Sequence, residues 1–246
     1  MGKVKERRGM NLVIYGKNAA EEALKSSRRI EKVYLQYGHF FEPEFIENLK
    51  KKGIDFQWAK KQQLKKLSGT HKHQGIVVLL SPIEYVPAET LFRETLEEKS
   101  FFVVLDRITE PQNVGAIART VEFFGGKGLL LPEKESSPIN EVVVKSSSGA
   151  ILHLMIAKTA EIEESLAHFK SMGGKIISVE TGGKDIREAK LKPPTALVVG
   201  SEGKGIDPRL ISLSDEVVSI PGYGKTPSLN VSAATAVAVW QLKANP

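Results

Sequence analysis

The sequence predicts an α/β protein built in two parts, and three observations carry that reading. Short apolar runs of strand length alternate with segments of helical period, first over residues 12–80 and again over 101–244. A proline- and charge-bearing stretch, SPIEYVPAETLFRETLEEKS (81–100), separates the two series. In the second series the strands are almost wholly apolar, the pattern of a parallel sheet covered on both faces.

The first ten residues are charged and are expected to be mobile. LVIY (12–15) reads as a strand, and residues 18–24 as a helix with Ala19, Ala20, Ala23 and Leu24 on its apolar side. KVYLQ (32–36) is a strand. EPEFIENLKKK (42–52) is a helix with Phe45, Ile46 and Leu49 at helical spacing, stopped by Gly53. IDFQWA (54–59), the short basic helix KKQQLKKL (60–67) and the apolar strand GIVVLL (75–80) complete a small βαβαβαβ domain over 1–81. Residues 82–99 are expected to link it to a second domain over 100–246, with one short helix inside the linker.

In that second domain FFVVLD (101–106) is a buried strand, NVGAIARTVEFFG (113–125) a helix and KGLLLP (127–132) a strand. SPINEVVVKSS (137–147) reads as a helix with Ser137 as N-cap and Pro138 in its first turn. ILHLMIA (151–157) is a strand, and TAEIEESLAHFKSMG (159–173) an amphipathic helix. KIISVE (175–180), TALVVG (195–200) and EVVSIP (216–221) are strands, and SLNVSAATAVAVWQLKA (228–244) is the closing helix.

Composition narrows the chemistry. With 246 residues, 41% of them hydrophobic and 26% charged, the chain has material for ordinary cores. There is no cysteine, which excludes disulfides, thiolate catalysis and Cys-ligated metals. No apolar run reaches the ~18 residues of a membrane span. The opening MGKVKERRGMNLVIYG lacks the apolar region and cleavage site of a secretory signal, so a cytoplasmic location is expected. The net charge of +6 is unevenly spread. Residues 1–81 carry 17 basic and 8 acidic side chains, a net of +9, whereas 82–246 carry 18 and 21, a net of −3. A basic first third suits contact with a polyanion such as RNA, although a solvated lysine-rich surface has the same composition. The His71–Lys72–His73 run has no carboxylate or cysteine companion, so it reads as a basic RNA-facing loop and no metal site is expected.

The familiar catalytic signatures are missing. There is no GxGxxG turn after the first buried strand of the second domain, no GxxxxGK[ST] and no GxSxG. Three polar, glycine-bearing segments instead follow strand ends: DRITEPQNVGAIART (106–120), VVGSEGKGI (198–206) and SIPGYGKTPSLNVSAATAVAV (219–239). Ligands of open α/β sheets bind beyond the carboxyl ends of strands, so these segments are candidates to share one pocket. Taken singly, each has a plainer reading. Asn113 and Ser228 are good helix N-caps, Arg119 suits a helix surface, and glycines 200, 203 and 205 suit a turn.

Together, in this order and spacing, LDRITEPQNVGAIARTVEFFG, ALVVGSEGKGI and SIPGYGKTPSLNVSAATAVAV resemble the three motifs of the SpoU-type ribose 2′-O-methyltransferases of the SPOUT class. KSSSGAILHL (145–154) is similar to the segment between the first two motifs. IYGKNAAEEAL (14–24), KVYL (32–35) and HQGIVVLL (73–80) resemble the ribosomal-protein-like substrate-binding domain that precedes the catalytic domain in some members. The resemblance implies a trefoil-knotted catalytic domain, S-adenosylmethionine as methyl donor, RNA as substrate and a homodimer formed through the C-terminal domain. The resemblance implies a ribose of 23S rRNA, that of a guanosine, as the target, and the two-domain layout favours rRNA over transfer RNA; a transfer RNA target, a resistance-type enzyme acting elsewhere in rRNA, and a non-catalytic rRNA-binding assembly factor are the alternatives. Carried onto this chain, Asn113, Arg119, Glu202, Ser228 and Asn230 match the polar catalytic positions. Gly200, Ser201, Gly205, Ile220 and Leu229 match positions that hold the cofactor. Gly222 and Pro227 depart from the usual pattern without removing a reactive group. The family assigns activation of the hydroxyl to the arginine. An arginine stays protonated, so Arg119 is expected to position RNA and stabilise developing negative charge, with Glu202 or Asn113 orienting its guanidinium.

Overall fold

The computed structural model describes residues 11–244; the charged stretch 1–10, expected to be mobile, lies outside the described residues. The chain divides into two compact units between Ile83 and Glu84. The first contains β1 (Leu12–Tyr15), α1 (Lys17–Lys25), β2 (Ile30–Gln36), α2 (Pro43–Lys51), β3 (Phe56–Ala59), α3 (Lys61–Ser68) and β4 (Ile76–Leu80). Its sheet runs β1–β4–β2–β3. β4 is antiparallel to both neighbours and β2 is parallel to β3. β4 is apolar because it is an inner strand, with Ile76, Val77, Val78 and Leu80 all buried. Each helix buries a narrow stripe: Ala19, Ala20, Ala23 and Leu24 in α1, Leu49 in α2, Leu64 in α3.

In the His71–Lys72–His73 run, read as an RNA-facing loop, His71 and Lys72 are exposed but His73 is not. It is buried, and its Nδ1 accepts the Gly75 N–H at 3.1 Å. Burial, reinforced by the charge of Lys61 and by His71 and His39, holds its imidazole below the ordinary histidine range.

The second unit contains α4 (Ala88–Glu97), β5 (Phe101–Asp106), α5 (Pro111–Phe123), β6 (Gly128–Pro132), α6 (Glu141–Ser146), β7 (Met155–Thr159), α7 (Ile162–Ser171), β8 (Lys175–Asp185), β9 (Thr195–Gly200), α8 (Pro208–Leu213), β10 (Glu216–Ser219) and α9 (Val231–Ala244). The sheet order is β10–β8–β9–β5–β6–β7, and every pairing is parallel. Phe102, Val104, Leu130, Ala196 and Val198 build its core with Phe92, Leu166 and Phe169 from the helices. The chain leaves β5 for β6 on one side and leaves β9 for β10 on the other. The strand order therefore reverses between β5 and β9, where parallel sheets open a crevice.

Three expectations change. Most of the segment 82–99, read as a linker, belongs to the second unit. Leu91, Phe92 and Thr95 of α4 are buried, because the helix uses its apolar stripe against the sheet. The helix expected at 137–147 starts only at Glu141, and its cap is Asn140, whose Oδ1 accepts the N–H groups of Val142 and Val143 at 3.0 and 3.2 Å. Ser137 is buried instead, its N–H donating to Ile108 O. The strand expected at 151–157 is a 3-10 turn over Ala150–His153 followed by β7.

α5 lies close against α6 because residue 115 has no side chain. A Cβ on Gly115 would stand 1.8 Å from Ser146 Oγ and 2.8 Å from Val143 O, a backbone atom. Gly115→Ala is expected to cost roughly 1–3 kcal/mol through overpacking. Thermal unfolding would read this as a Tm lower by about 2–10 °C.

His73 gives a pH dependence of defined sign. As pH falls through ~6.5 the unfolded chain binds a proton that buried His73 refuses, so stability present at neutral pH is lost towards acid. His73→Asn keeps an acceptor for the Gly75 N–H, and is expected to shrink the fall in Tm between pH 7.5 and pH 5.5.

Candidate active site

The site begins where β5 and β9 end side by side, with Asp106 paired in register with Gly200. Asp106 is a buried carboxylate at the end of an otherwise apolar strand. Its Oδ2 accepts the Asp207 N–H at 2.7 Å and the Arg107 Nη2–H at 3.0 Å. Arg107 adopts a left-handed backbone (φ 55°), and its Nη2 also donates to Gly205 O at 3.3 Å. From the other side, Glu180 on β8 accepts the Ile206 N–H at 2.8 Å and the Thr181 N–H at 2.8 Å. The loop 201–207 is thereby held by both neighbouring strands. Asp207, which caps α8, is itself held at a pKa of about 2, first by the Arg209 side chain and then by the Arg209 N–H.

The glycines of this loop have a structural reason. Gly205 N donates to Ser201 O at 2.9 Å, folding the loop onto its own start. A Cβ on Gly200 would stand 2.2 Å from the Gly205 carbonyl carbon. Gly205 itself has φ 64°, and a Cβ there would meet Glu180 Oε2 at 2.5 Å. The plain turn reading therefore holds for Gly200 and Gly205, while a Cβ on Gly203 would meet nothing within 4 Å; the turn forms one wall of a cavity.

That cavity has a volume of about 600 Å³. Its lining includes Gly200, Ser201, Glu202, Gly205, Ile220, Ser228 and Leu229, all singled out from the sequence. Val179, Ile206, Ile211 and Val231 add apolar wall, and Glu180 and Thr181 add polar groups. A cavity of this size with apolar walls and a few fixed polar groups suits a small-molecule ligand.

Beside it stands a polar triangle. Asn230 Nδ2 donates to Glu202 Oε1 at 2.5 Å and to Asn113 Oδ1 at 3.1 Å. Asn113 Nδ2 donates to Glu202 Oε1 at 3.3 Å. Asn113 is not an N-cap, for α5 starts at Pro111 and Asn113 lies within its first turn. Ser228 is not the cap of α9 either. Asn230 fills that role, its Oδ1 accepting the Ser232 N–H at 2.9 Å while its amide faces the triangle.

Arg119 lies apart. It is six residues along α5 from Asn113, roughly 9 Å of helical rise. Its Nη1 donates to Ser148 Oγ at 3.2 Å. The expected orienting partner, Glu202 or Asn113, is therefore replaced by Ser148, which sits in a left-handed turn (φ 54°). Among the described residues Arg119 has no carboxylate partner. Sequence reasoning missed Ser148, Arg107 and Glu180 as parts of this region. The serine run at 146–148 was a usable signal for the first, whereas Glu180 reads from sequence as a solvated strand end.

Comparison with known proteins gives the class first. The fold is that of solved SpoU methyltransferases. The chain of AviRb from Streptomyces viridochromogenes superposes with a TM-score of 0.80 at 20% identity, covering 99% of this chain and 92% of that one. An rRNA methyltransferase from Sinorhizobium meliloti, solved with AdoMet bound, superposes with a TM-score of 0.79 at 20% identity over 96% of this chain and 87% of that one. Sequence then fixes the family. Residues 100–240 match the SpoU rRNA Methylase family, and residues 13–86 match the RNA 2′-O ribose methyltransferase substrate binding family. The Bacillus subtilis protein YacO, whose name places it in the TrmH family of tRNA/rRNA methyltransferases, is 32% identical over 240 residues, covering 95% of this chain and 96% of the relative. The chain belongs to the SpoU family of RNA 2′-O-ribose methyltransferases.

The Asp106 latch yields a stability prediction. Asp106→Ala removes the acceptor of Asp207 N–H and the partner of Arg107, at an expected cost of about 2–4 kcal/mol in urea unfolding. Asp106→Asn, which keeps an acceptor but no charge, is expected to lose less.

Proposed function

We propose that this chain transfers a methyl group from S-adenosylmethionine to a ribose 2′-hydroxyl of 23S rRNA, that of a guanosine. The observation that carries the reading is the convergence of three polar segments on one cavity. Asn113, Glu202 and Asn230 are bonded to one another across sequence separations of 89, 117 and 28 residues. The donor fits the cavity on physical grounds. Ile206, Ile211, Leu229 and Val231 offer apolar walls for a flat base, the turn at Gly200–Gly205 lets backbone polar groups come close, and Glu202 offers negative charge to a cationic ligand. Gly200, Ser201, Gly205, Ile220 and Leu229 are the residues we assign to hold it. S-adenosylmethionine supplies a methyl group already activated on a sulfonium.

The rest of the chemistry is alignment and charge. Asn113 and Asn230 fix the Glu202 carboxylate, and Ser228 lines the same cavity as a hydroxyl for the ribose side. Arg119, held by a neutral hydroxyl, keeps its whole charge for an RNA phosphate and for the developing alkoxide. The 2′-hydroxyl proton leaves to that phosphate or to water, since a guanidinium cannot accept it. The trefoil knot belongs to the same proposal. The loops 201–207 and 220–230, which line one cavity, are the segments that would be threaded. A homodimer through the second unit is supported by exposed Phe123 on α5 and exposed Val237 and Trp240 on α9. Among the described residues no helix is long and apolar enough to cross a membrane; we place the reaction in the cytoplasm, with its RNA. The same chemistry on transfer RNA is the second reading, favoured by the relatives' tRNA/rRNA names.

Labelled methyl transfer to rRNA and tRNA, taken separately from cells lacking this enzyme, tests the assignment. Ribose label in rRNA is expected, and label in tRNA alone would replace the substrate. Arg119→Lys loses the planar fork and is expected to lower transfer at least tenfold with donor affinity unchanged; near-normal transfer would remove its positioning role. Asn230→Ala is expected to weaken donor binding or turnover. Asn230→Ser, which keeps a capping hydroxyl, separates that effect from the ~1 kcal/mol of the lost cap.

A further inference from the structure

Among the described residues, the three exposed Tyr, Phe and Trp side chains of the first unit lie at one end of its sheet. Tyr37 is 63% exposed, Phe40 74% and Trp58 38%. They follow or end the parallel strands β2 and β3, and the two strand ends are tied by Tyr37 N–H donating to Ala59 O at 3.0 Å. The Tyr37 and Trp58 rings lie near-parallel, 6.1 Å apart and inclined by 27°. Phe41 packs edge-on to Trp58 at 6.0 Å and stacks on Phe45, which supports the exposed pair from behind.

The part of this end formed by residues 56–81 is basic, whereas Phe40 lines a cavity that holds Glu21, Glu42 and Glu44 beside Lys17 and Lys25. Gln36 N–H donates to Gly75 O, which brings the turn before β4 to the same edge. The charge of Lys61 and the rings of His71 and His39 act on His73 there. Residues 56–81 contain five lysines and no acidic residue, and of the two histidines there only His71 is exposed. Aromatic rings at protein–protein interfaces lie among few lysines, because desolvating an ammonium is costly. Rings set among lysines suit a polyanion that has flat faces of its own, and unpaired bases are that ligand.

We propose that this edge is a stacking platform for unpaired bases of the substrate RNA, with Tyr37 and Trp58 as one paired surface, Phe40 as a second and Lys60 and Lys61 on the phosphates. The proposal rests on the RNA-modifying function given above, and adds that the first unit selects single-stranded or looped RNA over duplex. Every base has a π-face, so the platform reads strandedness rather than sequence.

The test uses the full chain with two probes, a mixed-sequence single-stranded RNA of about 12 nucleotides and the same sequence as a duplex. Tyr37→Ala, Trp58→Ala and Phe40→Ala are each expected to weaken single-strand binding about 5- to 150-fold. Duplex binding and the slope of log K against log salt should not move. Lys60→Ala and Lys61→Ala should instead lower that slope by about one each. Trp58→Phe, which keeps a ring, should recover most of the affinity, and a Tm equal to that of the parent excludes misfolding. Single-strand binding unchanged in the alanine variants, or an equal loss for both probes, would overturn the platform. So would a change of oligomeric state without RNA, which would make the patch a protein contact. Donor binding and methyl transfer read the other proposal separately. Normal transfer with unaltered RNA affinity in these variants sinks the platform alone, and absence of RNA binding in the parent sinks both.

Discussion

The buried carboxylate of Asp106 is the constraint on which the second unit's site depends. It sits at the point where the strand order reverses, and a bare charge there would be costly. Two donors answer it: the guanidinium of the next residue and the backbone N–H of Asp207, 101 residues later. That second bond converts a local burial problem into a long-range tether. Because Asp207 is fixed, the loop before it must turn back within a few residues, and Gly200 and Gly205 make the turn sterically allowed. Because the loop is fixed, Glu202 stands where Asn113 and Asn230 can reach it. Strand, loop, cavity and polar triangle form a chain of dependence with one buried charge at its origin.

The order of elements was legible in the sequence because period is a local property. The apolar runs at 101–106, 127–132 and 195–200 have strand length and read as strands, and α1 showed its buried stripe in three alanines and a leucine. The failures have a common physical source: a residue's local pattern does not say what covers it. α4 looked like part of a linker because its polar face is long and prolines precede it, yet Leu91 and Phe92 are buried. His73 looked solvated beside a lysine and is covered. Ser137 and Pro138 have the chemistry of a helix start, but Asn140 can accept two N–H groups at once and takes the cap.

The site was legible in its parts and not in its arrangement. Each polar residue stood after a strand end, which made a shared pocket a reasonable expectation. That Asn113 and Asn230 both bond Glu202, while Arg119 does not, is a fact of tertiary geometry. An asparagine capping α9 with its oxygen has its amide left to point elsewhere, so one residue fixes the helix start and one corner of the triangle. No spacing rule contains that double use.

The separation of Arg119 from Glu202 also has an electrostatic logic. Arg107, Arg187 and Arg209 are each paired with a carboxylate, and such pairs spend most of their field on each other. Arg119 is held by the Ser148 hydroxyl, which fixes direction without cancelling charge. Under the proposed function, a guanidinium oriented by Glu202 would be a weaker anchor for a phosphate, and the carboxylate a weaker neighbour for a cation. Keeping the two apart leaves a negative group at the cavity and a positive one outside it. A reaction between a cationic donor and a polyanionic acceptor needs both signs present and neither neutralised. The uneven charge along the chain, positive in the first unit and slightly negative in the second, repeats at the scale of units what the arginine and the glutamate do at the scale of one site.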